Sequence, residues 1–176
     1  MREIISSIEA EYRRYKILGE GAIRQTREDE LSRAGDNNGN SIAVLVWHIS
    51  GNLKSRFTDF LNADGEKPWR NRDAEFESHP GVTSTQLFER WNEGWVVLFS
   101  ALQSLSDTDL LRTVTIRGVH FQVHEALHRL LAHTSYHVGQ IVYLAKSFRG
   151  SEWKTLSIPL GKSEQYNRDP TLEKLS

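Results

Sequence analysis

Four long stretches of the sequence carry apolar residues three or four positions apart, the spacing that places them on one face of an α-helix. These stretches span residues 2–26, 42–61, 83–105 and 122–148. A helix that is apolar along one side must bury that side against other elements. The pattern therefore predicts an all-α fold, a four-helix bundle that forms one domain over residues 1–176.

The segments between the stretches indicate where the helices end. Ser41 can cap the second helix and Gly150 can end the fourth. Residues 34–40 are rich in glycine and asparagine and predict a loop, and residues 62–82 form a long polar connection after the second helix. Residues 114–123 carry β-branched and aromatic side chains around Arg117 and Gly118, which predicts either a small hairpin before the fourth helix or an extended connection.

Composition limits the classes of function. The chain has no cysteine, which rules out disulfides, a thiolate nucleophile and cysteine-bound zinc. Its net charge of −1, with both signs interspersed, lacks the basic character of a protein that binds nucleic acid. No stretch is apolar enough to cross a membrane or to act as a signal peptide. We therefore expect a soluble, cytoplasmic protein that acts on a small-molecule substrate.

Histidine placement is the main chemical signal. His133 and His137 lie four positions apart on the fourth helix, so both imidazoles can bind one metal ion, with His48 of the second helix as a third ligand. Three nitrogen ligands leave open positions on the metal, as in working rather than structural sites, and suit Zn, Ni, Fe or Mn. His124 and His128 have the same spacing, and spacing alone does not choose between the two pairs.

Sequence context favours His48, His133 and His137. His48 follows Trp47 on a strongly apolar helix, where both ring nitrogens need partners, and a metal together with a hydrogen-bond acceptor would supply them. The step from Gly139 to Gln140, just after His137, would let another helix approach. For His124 and His128, near the start of the fourth helix, we expect a solvated or capping role.

Two segments carry a resemblance to a known family. WHISGNL at residues 47–53 and HTSYHVGQI at residues 133–141, together with the four-helix layout, resemble the DinB/YfiT-like metalloenzyme superfamily over nearly the whole chain. The segment PWRNRDAEFE at residues 68–77 resembles a bacterial branch of it labelled as a domain of unknown function. The resemblance implies helices ordered up-down-down-up and a divalent metal, usually nickel or zinc, on His48, His133 and His137.

The same resemblance implies a type of reaction. Characterised relatives include bacillithiol-dependent S-transferases and a mycothiol-dependent isomerase, so a low-molecular-weight thiol is the implied cosubstrate. A chain without cysteine fits this chemistry, because the nucleophile would come with the thiol. Two alternatives stay open: a metal-dependent hydrolase, and a non-catalytic, stress-associated bundle that binds metal.

Three further residues are candidates for the site. Asn52 and Arg56 follow His48 by one and two turns, so Asn52 can bond a metal-bound water and Arg56 can bind a substrate carboxylate. Alternatively, Arg56 pairs with a glutamate across the bundle. Tyr136 faces either the site or solvent. The mixed aromatic and charged residues of 68–77 line a pocket mouth or form a salt-bridged loop.

A homodimer is the expected assembly. The superfamily resemblance implies it, and on the third helix Phe88, Val96 and Phe99 widen the apolar side to about half of the circumference. In the alternative, the C-terminal tail, which contains Trp153 and Leu156, covers that surface within one chain.

Overall fold

The computed structural model of the chain describes residues 1–35 and 39–171. Residues 36–38, within the predicted loop at 34–40, lie outside the described part. The helices are α1 (Glu3–Gln25), α2 (Glu28–Leu31), α3 (Ile42–Phe57), α4 (Ser84–Gln103), α5 (Val123–Arg149) and α6 (Ser163–Arg168). Two strands, β1 (Thr113–Ile116) and β2 (Val119–Gln122), precede α5, and 3-10 turns lie at Asp73–Phe76, Asp107–Leu111 and Gly150–Glu152. The predicted all-α class is confirmed.

The start of α3 follows the prediction, but its end does not. The Ser41 side chain caps the helix by accepting a hydrogen bond from the Val44 amide at 3.2 Å. The helix was predicted to reach residue 61, and that length is wrong. Thr58 has extended backbone angles and Asp59 has a φ of 49°, so the helix ends at Phe57. Phe60 is still buried, from the turn, which explains why its helical spacing was misleading.

The directions of α1 and α4 follow from contacts at their ends. Arg2 donates to the carbonyl of Leu102 at the end of α4, at 2.8 Å, whereas Arg24 lies over the ring of Phe88 near the start of α4, at 4.9 Å. The two helices are therefore antiparallel.

Helices α3 and α4 run side by side in the same direction. Trp47 lies near Arg90, and Ser50, one turn later, lies against Gly94. Helix α5 packs against both α1 and α3, and buried apolar side chains from all four long helices form one core. The core-facing residues of α4 are fully buried, as predicted: Leu87, Trp91, Trp95, Leu98 and Leu102.

The outer side of α4 is partly covered by α1. Phe88 and Phe99 are half-buried, and the Arg13 guanidinium lies 4.3 Å from the centre of the Phe99 ring. Val96 is 66% exposed. Part of the tail packs on α1, where Leu156 lies against Gly21.

The predicted hairpin is present. Strands β1 and β2 are antiparallel, and Arg117 and Gly118 both have positive φ, of 55° and 74°, as a tight two-residue turn requires. The Asp64 carboxylate accepts hydrogen bonds from the amides of Arg117 and Gly118, each at 2.8 Å. Hydrogen bonds from the backbone amides of Glu66, Gly118 and Arg117 hold the pKa of Asp64 below its ordinary value. The bonds from Arg117 and Gly118 also fix the hairpin beside the connection that follows α3.

No helix within the described residues is both long and apolar enough to cross a membrane.

Candidate metal centre

Two helices bring three histidines together. His48 comes from the middle of α3, and His133 and His137 come from successive turns of α5. The Nε2 atom of His133 lies 3.2 Å from that of His48 and 3.2 Å from that of His137, and one nitrogen of each ring lies within 4.8 Å of the others. Two nitrogens bound to zinc at about 2.0–2.1 Å and a near-tetrahedral angle lie about 3.3 Å apart. The three histidines could therefore hold a divalent ion.

The outer ring nitrogens of two of these histidines are anchored. His48 Nδ1 lies 2.9 Å from Glu75 Oε2, and His137 Nδ1 lies 2.8 Å from Gln140 Oε1. Such acceptors fix the tautomer and the orientation of histidines that bind metal. Sequence reasoning expected an acceptor for His48 but did not identify Glu75, which was only one of several charged residues in the 68–77 segment.

Glu75 is held from the other side by Arg70. The guanidinium makes two hydrogen bonds with the carboxylate, at 2.7 and 2.8 Å, and both side chains are buried. Burial alone would raise the pKa of Glu75, but the hydrogen bonds from Arg70 and His48 outweigh it and lower that pKa. Gly51 makes room for this pair, because a Cβ there would lie 2.1 Å from Glu75 Oε1.

The hydrogen-bonding pattern of the three imidazoles is suited to binding a cation. The ionised Glu75 can only accept a hydrogen bond, so His48 Nδ1 carries the hydrogen and His48 Nε2 presents a lone pair. In the same way, the acceptor Gln140 Oε1 places the hydrogen of His137 on Nδ1 and leaves a lone pair on its Nε2. The Nε2 atom of His133 can carry at most one hydrogen and can donate it to only one of the other two Nε2 atoms. At least one lone pair is therefore left without a donor, which is the arrangement that a metal ion satisfies.

Protonation of His133 or His137 does not resolve this shortage near neutral pH. Burial, together with the nearby His137 and His48, lowers the pKa of His133 to about 3. Burial also lowers the pKa of His137, although its bond with Gln140 acts in the opposite direction. These two rings are thus kept neutral, the form that binds metal.

A pocket of about 730 Å³ opens onto the histidines. Asn52 and Arg56 both line it, as their spacing from His48 suggested. The Oδ1 atom of Asn52 is buried without a hydrogen-bond partner among the described residues. Arg56 donates to the carbonyl of Gly65 and, at 3.1 Å, to Glu66, so its glutamate partner lies in the connection after α3 and not across the bundle, while Arg56 also lines the pocket.

The other sequence candidates on α5 do not line the pocket of the three histidines. Tyr136 is 63% exposed and lines a different groove, although its ring contacts that of His137. His128 is exposed, and His124 lies 3.1 Å from the Leu110 carbonyl, in keeping with the solvated or capping role expected. The expectation for Gly139 is wrong, because this residue is exposed and a Cβ added there would meet nothing within 4 Å.

The anchoring role of Glu75 gives a direct test. Replacing Glu75 with glutamine exchanges the carboxylate that accepts from His48 for a neutral amide and weakens the pair with Arg70, so we expect metal affinity to fall about 10–100-fold. Competition with a chelating dye at constant pH measures this affinity. Glu66→Gln is the matched control, since Glu66 bonds arginines near the pocket and no histidine. Equal affinities in the two variants would contradict the anchoring role.

Comparison with known proteins gives a family match that covers the part of the chain that forms this fold and site. Neither a curated protein nor a solved structure matches the chain significantly. A family model described as "Protein of unknown function (DUF1572)" matches residues 1–162, a span that contains the four long helices, the hairpin and the three histidines. The chain therefore belongs to the DUF1572 family of proteins of unknown function.

Proposed function

We propose that the protein is a divalent-metal-dependent enzyme of the DinB/YfiT-like type, most closely suited to S-transfer from a low-molecular-weight thiol. In this proposal His48, His133 and His137 hold nickel or zinc. The observation that carries it is the convergence of three imidazoles at the wall of an open pocket, two of them with hydrogen-bond acceptors on their outer nitrogens.

The helix arrangement supports the superfamily assignment. Helices α3 and α4 run in the same direction and α1 runs opposite to α4, which agrees with the up-down-down-up order implied by the resemblance. The long connection between α3 and α4 also lies where the resemblance implies it. The homodimer implied by the same resemblance stays a prediction.

The residues around the site have separate tasks in such a reaction. A divalent ion held by the histidines would lower the pKa of a thiol and so provide a thiolate near neutral pH. Glu75 and Gln140 keep the imidazoles oriented, and Asn52 can accept a hydrogen bond from a bound group. Apolar side chains of the pocket, including Phe76 and Phe121, can bind the carbon skeleton of an electrophile.

One feature of the pocket favours transfer over hydrolysis. No aspartate or glutamate lies among the residues that line it within the described part of the chain. Glu75 is buried and occupied by Arg70 and His48. The site thus lacks a free carboxylate to act as general base on water, whereas a thiol, with an ordinary pKa of about 8.5 against about 15.7 for water, loses its proton to solvent on a metal without one.

A thiol–electrophile assay tests the proposal. The protein is purified without a histidine tag, loaded with nickel or zinc, and given monochlorobimane with bacillithiol, glutathione or cysteamine. We expect thiol conjugation at least tenfold faster with loaded than with metal-free protein. The acceleration should be retained in His128→Ala and lost in His133→Ala.

The alternatives predict different results in the same assay. A hydrolase would cleave an activated ester such as p-nitrophenyl acetate without thiol. A metal-binding bundle without enzymatic activity would catalyse neither reaction while still holding metal. Either pattern would reject the S-transferase proposal.

A further inference from the structure

The pocket that contains the histidines is lined by an unusual number of arginines. Five guanidinium groups border it, and the lining within the described residues contains no carboxylate. Guanidinium groups stay protonated at all ordinary pH values, so this charge is permanent. The five come from four different elements: Arg56, Arg70, Arg72, Arg117 and Arg129.

The two inner arginines are already engaged. Arg70 is matched by Glu75 in a buried, two-bond pair. Arg56 shares the single carboxylate of Glu66 with Arg117, at 3.1 and 2.7 Å. The Asp64 carboxylate also lies near Arg56 and bonds the Arg117 amide, so this wall is balanced and the excess positive charge of the pocket comes from its mouth.

The positive charges of two arginines at the mouth of the pocket are poorly balanced by nearby carboxylates. Arg72 lies 3.8 Å from Asp73, and both side chains are at least half exposed, so the attraction is weak. Arg129 lies 6.0 Å from the ring of Phe121 and makes no ion pair with any described carboxylate. Their donors are therefore free to bind an incoming anion.

The position of Arg129 links the mouth to the histidines. It precedes His133 by one turn of α5, about 6 Å along the helix axis. Ile116, Phe121 and Phe76 provide apolar surface in the same pocket. A small molecule with an acidic group at one end and an apolar skeleton could span this distance.

We propose that Arg72 and Arg129 form an anion subsite that binds the carboxylate or phosphate group of the substrate. Guanidinium groups bind both types of oxyanion through paired, charge-assisted hydrogen bonds. The substrate class is therefore a small organic acid or phosphate ester with an apolar part that points toward the histidines. The identification of this ligand as the substrate rests on the proposed function. The binding of an anion does not depend on that function.

Calorimetric titration of the metal-free protein tests the subsite. The probes are phenylphosphate and phenylacetate, with benzyl alcohol as a neutral probe of similar shape. We expect both anions, or the preferred one of the two, to bind at least tenfold more tightly than the alcohol, and their affinity to fall as salt is raised. Tighter binding of phenylphosphate identifies the phosphate ester, and tighter binding of phenylacetate the carboxylic acid.

Variants locate the binding. In a double variant that carries both Arg72→Gln and Arg129→Gln, the affinity for the anion should fall about tenfold or more, as expected for lost hydrogen bonds to a charged group. Arg112→Gln is the control, because Arg112 is exposed, pairs with Asp109 and does not line the pocket. Equal anion affinity in the double variant and the control, or equal affinity for benzyl alcohol, would overturn the subsite.

The same titrations separate this inference from the proposed function. Anion binding without metal, combined with no thiol conjugation by the metal-loaded protein, would retain the subsite and reject the S-transferase. Thiol conjugation that is unchanged in the double variant, with no anion binding, would retain the S-transferase and reject the subsite.

Discussion

Replacing His137 with alanine is expected to abolish stoichiometric metal binding while leaving most of the helix content unchanged. Two imidazoles would remain, and the bond that orients the site through Gln140 would be lost. His137 is a polar residue at the edge of the core, so its loss removes little apolar packing. Elemental analysis of the untagged protein measures bound metal, and circular dichroism measures helix content.

His128→Ala is the matched control for this experiment. His128 lies on the same helix, is exposed and is remote from the three-histidine group, so metal content should equal that of the unmodified protein. Metal retained in His137→Ala but released in His128→Ala or His124→Ala would mean that the other histidine pair binds it.

A methyl group added to Gly94 is expected to cause a large loss of stability. Gly94 is the point at which α4 approaches α3, and a Cβ there would lie 2.7 Å from the Cα atom of Ser50 and 3.0 Å from its carbonyl oxygen. Because those atoms belong to the backbone, the two helices must move apart. We expect Gly94→Ala to lower the free energy of unfolding by about 2–3 kcal/mol, measured by urea denaturation.

Gly139→Ala provides the opposite case on α5. Gly139 is exposed and a Cβ there would meet nothing within 4 Å, so the ordinary helix preference for alanine should raise stability by about 0.5–1 kcal/mol. Similar effects of the two substitutions would show that the contact between α3 and α4 does not depend on Gly94.

The two glycines illustrate what sequence alone can establish. Both lie within helices. Gly94 shares the predicted apolar side of α4, three positions after Trp91 and four before Leu98, whereas Gly139 lies apart from the apolar side of α5. The spacing does not tell which helix approaches, or how closely. The sequence correctly predicted the buried side of α4, because an amphipathic pattern reports burial, but it assigned the close approach to Gly139.

The candidate site was predictable to a similar extent. His133 and His137 share a helix face, so their proximity follows from local geometry. The meeting of His48 with them depends on the packing of α3 against α5 and was expected from context and family resemblance. Glu75 lies in a 3-10 turn of an irregular connection, where no periodic pattern exists to relate it to His48. The arginines of the mouth come from separate loops and helices and could not be grouped without the fold.

The separation of the ligands along the chain has a consequence for folding. His48 and His133 are 85 residues apart, and the chain has no cysteine with which to join distant segments covalently. An ion on the three histidines would act as a reversible cross-link that closes this long loop, and it would bind the folded chain in preference to the unfolded one. Resistance to unfolding would then rise with the free concentration of the metal, by mass action.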